Sequence, residues 1–142
     1  MEFSPTSHPT FSPWRPRIYA VVGAVLAAVV IWVVAVPVLG VNLQATTGPG
    51  STELATVPIG AVIAASLLAP LAGLLLLVLL ERFTNRARLI WSVIAGLVLL
   101  LSYGAPVFGT GIPASSRITL ALMHTAVGGI VIGVFTRSSA SR

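Results

Sequence analysis

The chain alternates four times between a long apolar run and a short polar break. The runs are Ile18–Leu39, Val57–Leu80, Leu89–Phe108 and Ile118–Phe135, and none contains Asp, Glu, Lys or Arg. Crossing a bilayer core of about 30 Å takes roughly 20 apolar residues in a helix. A segment in lipid must satisfy its own backbone polar groups, so each run predicts a transmembrane helix. The first run exceeds the roughly 7–15 residues of a signal-peptide h-region and reads as a retained span. The stretch "GVNLQATTGPGSTELAT" after span one is rich in Gly, Thr and Ser and too short for a domain. The turn "ERFTNRAR" between spans two and three is shorter still, which makes those spans antiparallel neighbours. The fold predicted is all-α and integral to the membrane, an antiparallel four-helix transmembrane bundle.

Composition agrees with lipid as the solvent. Hydrophobic residues make up 56% of the chain and charged residues 8%, against about 25% charged in a soluble domain. The net charge of +5 forms no basic stripe, so nucleic acid is not expected as a partner. Its positions report orientation instead. Arg15, Arg17, Arg82, Arg86, Arg88, Arg137 and Arg142 fall on one side of the spans, and only Arg117 on the other. This bias places both termini in the cytoplasm, with the plasma membrane as the location. Residues 1–16 hold four prolines among Ser and Thr and read as a disordered cytoplasmic tail. Trp14 and Arg15 are expected at headgroup level. The transmembrane domain then covers residues 17–137, and 138–142 form a second short tail.

Which residues carry chemistry is a narrower question. With no cysteine there is no disulfide, thiol chemistry or cysteine metal site. His124 is the leading polar candidate, because ionisable side chains within a membrane usually face protein or water. It lies roughly 9 Å along the helix from Ile118, on a face shared with Arg117, Ala121, Gly128 and Val131. Ser102 in span three and Trp32 in span one fall at about the same depth, and Ser66 in span two at about 13 Å. Tyr103 and Thr125 are close by. Such an outer-leaflet polar layer serves either as a small-ligand site or as interhelical hydrogen bonding, with the ring neutral and satisfied by a serine hydroxyl. Arg117 is expected to snorkel to the outer headgroups.

Catalysis finds little support. His124 has no carboxylate to orient it, and His8 lies in the tail across the membrane. A zinc site needs three or four ligands and one is present at that depth. No enzyme activity, metal or cofactor is expected. Glu81 reads as an interfacial ion pair with Arg82 and Arg86. Pro70 is expected to kink span two by freeing the carbonyl of Ser66. Ala126, Gly129 and Gly133 lie opposite His124 on span four, and they predict a contact in a homo-oligomer.

The stretch "SLLAPLAGLLLLVLLERFTNRARLIWSVIAGLVLLLSYGAPV", followed by "RITLALMHTAVGGIVIGVFTR", resembles an actinobacterial family of small four-span membrane proteins, domain of unknown function 6069. The likeness rests on the Leu-rich span ending in Glu81–Arg82, the Arg88–Trp91 start of span three, its Ser102–Pro106 exit and the Leu122–Met123–His124 core of span four. It covers residues 18–137. It implies a bacterial multi-pass protein and supplies no activity. The function expected is a non-enzymatic structural or accessory partner of another membrane protein; the alternative is a small transporter or lipophilic-ligand binder around His124.

Overall fold

In a computed structural model the chain is described over residues 14–48 and 50–139. Four helices are long and apolar enough to cross a membrane: Trp14–Val38, Ile59–Phe83, Ala87–Phe108 and Ala114–Ser138. Each starts before or ends beyond the apolar run that predicted it. Helix α1 (Trp14–Val33) already contains Trp14–Pro16, which were expected in the tail. Pro16 is accommodated because the first turn of a helix has N–H groups without intrahelical partners. The rest of the predicted tail, residues 1–13, lies outside the described residues, as do 140–142.

Helix α1 does not end cleanly. It widens into a π-helical turn, Val34–Val38, where Pro37 has no N–H to give to the carbonyl of Val33. The Leu39 N–H bonds to Val34 O at 3.0 Å and the Val41 N–H to Ala35 O at 2.9 Å. Gly40, at φ 68°, then turns the chain away in a conformation that favours glycine.

The first loop corrects the all-α expectation. Strands β1 (Gln44–Thr46) and β2 (Leu54–Thr56) pair antiparallel, Gln44 opposite Thr56 and Thr46 opposite Leu54. The ladder is lengthened by Thr47 N–H to Glu53 O at 3.0 Å and Val57 N–H to Leu43 O at 2.9 Å. Two matched triplets, "QAT" and "LAT", flank a Gly-Pro-Gly turn sequence; that was the readable signal.

Helix α2 (Ile59–Phe83) runs unbroken through Pro70, with Val62, Ser66, Pro70 and Leu77 on its buried face. The third span is interrupted. Helix α3 (Ala87–Ser102) stops, Tyr103 intervenes, and a single turn, α4 (Gly104–Phe108), completes the crossing. Pro106 has no N–H for the carbonyl of Ser102 four residues back, which explains the break. Helix α5 (Ala114–Ser138) is continuous.

The spans close a ring. Helix α1 packs on α2 and α5, and α3 completes the circuit against the same two. Ala20, Ala24 and Ala28 recur every fourth residue on α1 and are buried, which lets neighbouring helices approach closely. Two apolar clusters fill the interior. One joins Ala20, Val21 and Ala24 to Leu77, Trp91, Val131 and Phe135; the other joins Ala28, Leu43, Val62 and Met123. Large apolar side chains dominate the outward surface, from Ile18 and Leu26 to Leu101 and Phe108. Only 11–22% of the most apolar stretch of each span is fully buried inside the chain.

Candidate functional site

The four residues predicted to share a polar layer are each satisfied close to home. Trp32 Nε1–H donates to Val57 O at 3.1 Å, tying α1 to the residue after β2. Ser66 Oγ donates to Val62 O at 2.7 Å, and Ser102 Oγ to Leu99 O at 2.6 Å. His124 Nδ1 lies 2.6 Å from Leu120 O on its own helix. Among the described residues, no hydrogen bond joins one of these four to another. The serine partner expected for the imidazole is instead its own helix's carbonyl. A hydroxyl or ring donating to the preceding turn is the cheapest way to satisfy a polar group inside a span.

A smaller constellation does assemble. From its place between α3 and α4 the Tyr103 side chain reaches α5, where Tyr103 Oη lies 2.6 Å from Thr125 Oγ1. The rings of Tyr103 and His124 stand 6.2 Å apart, tilted by 45°. Thr125 Oγ1 also donates to Ala121 O at 2.7 Å. Tyr103, His124 and Thr125 therefore form a three-residue cluster within the span, with the Tyr–Thr contact on the exposed side.

The strongest electrostatic feature lies at the Arg-rich end. Arg17 is 2% exposed, inside the ring rather than at the headgroups. Its two terminal nitrogens grip both carboxylate oxygens of Glu81, with Nη1 to Oε2 at 3.1 Å. Nε–H donates to Ser138 Oγ at 3.2 Å and Nη2–H to Ser138 O at 3.1 Å. This corrects the expected partners of Glu81: Arg82 and Arg86 are exposed, and the salt bridge is to Arg17. The physical reason is reach. Arg82 and Arg86 lie on the outer side of the helix end, where water serves them, whereas Arg17 enters the bundle and needs an acid there. One guanidinium thus joins the start of α1 to the ends of α2 and α5. Opposite charges just outside two apolar runs were the readable signal.

At the hairpin end the linkages are neutral or to backbone. Ser116, fully buried, accepts from Gln44 N–H at 3.1 Å and donates to Asn42 O at 3.0 Å. Arg117 does not snorkel outward. It folds onto carbonyls of Val107, Gly109 and Ile112 at 2.9, 2.7 and 3.0 Å, because the end of α4 leaves those acceptors without helical donors. Gly109 is required there: a Cβ would sit 2.5 Å from both Ala105 O and the Ile112 side chain.

The small residues of α5 divide by face. A Cβ on Gly128 would stand 2.6 Å from Leu99, so this glycine sets the approach of α3 to α5. Gly129 and Gly133 meet nothing within 4 Å, and Gly129 is exposed; Ala126 is half-buried. Trp91, noted in the sequence only as part of the start of span three, is a central core residue. Its Nε1–H donates to Gly73 O at 2.7 Å and its ring packs on Phe135 at 5.4 Å. Among the described residues, no three His, Asp or Glu side chains gather as a metal site.

A family model described as a family of unknown function, DUF6069, matches residues 8–141. The chain belongs to the DUF6069 family. Neither a curated protein nor a solved structure matches it. The DUF6069 match spans all four membrane helices, the hairpin, the Arg17–Glu81–Ser138 clasp and the Tyr103–His124–Thr125 cluster.

Proposed function

We propose that this DUF6069 protein is a non-enzymatic, multi-pass protein of the bacterial plasma membrane that acts as a structural or accessory partner of another membrane protein. It forms an antiparallel four-helix transmembrane bundle with both termini in the cytoplasm. The observation that carries this reading is where the polar hydrogens go. The hydroxyls of Ser66, Ser102, Thr119, Thr125 and Thr136 all donate to carbonyls three or four residues back. A hydroxyl committed to its own helix is a packing element and a poor nucleophile. The orientation rests on seven arginines against one across the bundle. Solute transport is the weaker alternative, because the buried charge of Arg17 is already paired with Glu81.

Two measurements test the reading. Single cysteines at Ser51, Asn85 and Ser139 are expected to label from outside intact cells at Ser51 only; outside labelling of Asn85 overturns the topology. Purification from native membranes is expected to yield one membrane protein in fixed stoichiometry. Solute flux in proteoliposomes of the purified chain alone would replace the accessory role with transport.

A further inference from the structure

The Tyr103–His124–Thr125 cluster has a one-sided hydrogen-bonding balance. Thr125 Oγ1 gives its single proton to Ala121 O at 2.7 Å. The contact between Tyr103 Oη and Thr125 Oγ1 at 2.6 Å must therefore be donated by the tyrosine. That leaves Tyr103 Oη with a lone pair and no proton. Leu120 O can only accept, so the 2.6 Å contact to His124 fixes the hydrogen on Nδ1. In the uncharged ring Nε2 is then an acceptor. It has no partner among the described residues, yet no buried side-chain nitrogen or oxygen there lacks one, so Nε2 is accessible. The carbonyl of Ser102, one residue from Tyr103, receives no N–H from Pro106.

These acceptors lie where water is scarce. At about 1.5 Å per residue, Tyr103 is roughly 8 Å from the end of its apolar run at Phe108, and Thr125 roughly 10 Å from the start of its run at Ile118. Acceptors in hydrocarbon call for a donor that arrives with an apolar body. A second copy of the chain does not fit. Where a two-fold axis passes through the cluster, the same acceptors meet one another and none is satisfied.

We propose that Tyr103, His124 and Thr125 form a binding site, entered from the membrane, for a lipophilic molecule whose head group carries a hydroxyl donor. Tyr103 Oη and His124 Nε2 accept from it, while Thr125 holds the tyrosine in place. The site goes beyond the accessory role, which stands or falls on other measurements.

The test uses the full chain in lipid nanodiscs, with His8→Gln leaving one histidine, labelled with nitrogen-15. The probes are dodecylhydroquinone and its dimethyl ether, matched in shape and differing in the donor hydrogens. The hydroquinone is expected to shift the Nε2 resonance saturably, and the ether to leave it unchanged. Tyr103→Phe should weaken binding about fivefold, the loss of one ordinary hydrogen bond. His124→Phe should abolish it. An equal response to both probes, or to neither, overturns the proposal, and this comparison needs no substitution within the spans. An Nε2 shift that follows protein concentration without probe would assign the cluster to contact between copies and overturn it as well.

Discussion

The two ends of the bundle are fastened by different chemistry. At the Arg-rich end a single buried guanidinium holds three helices through a carboxylate and a serine. At the hairpin end Ser116 and Arg117 bond mainly to backbone, and a small β-ladder packs beside α4. The first fastening concentrates its stability in one ion pair. The second spreads it over many weak links. A buried pair is costly to break from one side because the surviving charge is stranded, whereas a backbone network loses one bond at a time.

Substitutions at the two ends should therefore differ in size. Arg17→Ala strands Glu81 and is expected to cost about 3 kcal/mol, the low end for a buried pair since Glu81 keeps 24% of its exposure. Thermal melting in detergent checks this. Removing both charges in Arg17→Met with Glu81→Leu should recover more than half of the loss; equal destabilisation by single and double variants would deny the coupling. Ser116→Ala should cost about 2 kcal/mol, leaving the Gln44 N–H and Asn42 C=O unpaired. Hydrogen exchange should then quicken at Gln44 and leave the clasp protected.

Between the ends, Gly128→Ala pushes a methyl into Leu99 and is expected to cost about 1 kcal/mol, as modest overpacking does. The smallest effect on stability is expected for Gly133→Leu, whose side chain enters open space. If the Ala126–Gly129–Gly133 face joins two copies, the same change should reduce crosslinked dimer while the monomer stays inserted. Unchanged crosslinking removes that interface.

The spans were legible because length and apolarity alone decide whether a helix crosses lipid. The break at Tyr103 was half legible: Pro106 marks the end of span three, but not which residue yields. The partner of Glu81 was not. Arg82 is adjacent in sequence and Arg17 is 64 residues away, and only the ring of helices brings the distant one closer. The four residues of the polar layer do not bond to one another for a related reason. Equal depth along four helices does not fix which way each side chain turns, and Ser66, Ser102 and His124 each found a carbonyl on their own helix. Tyr103 and Thr125 meet where α3 and α5 pack together, a pairing that depth alone does not reveal.

The clasp also constrains the order in which the chain can be finished. Arg17 enters the membrane early in synthesis, but Glu81 follows 64 residues later and Ser138 after 121. Until the last turn of α5 has been made, the guanidinium lacks two of its acceptors and the first helix has no settled seat. A nascent chain halted before Ser138 carries an exposed flaw at the cytoplasmic surface in the proposed orientation.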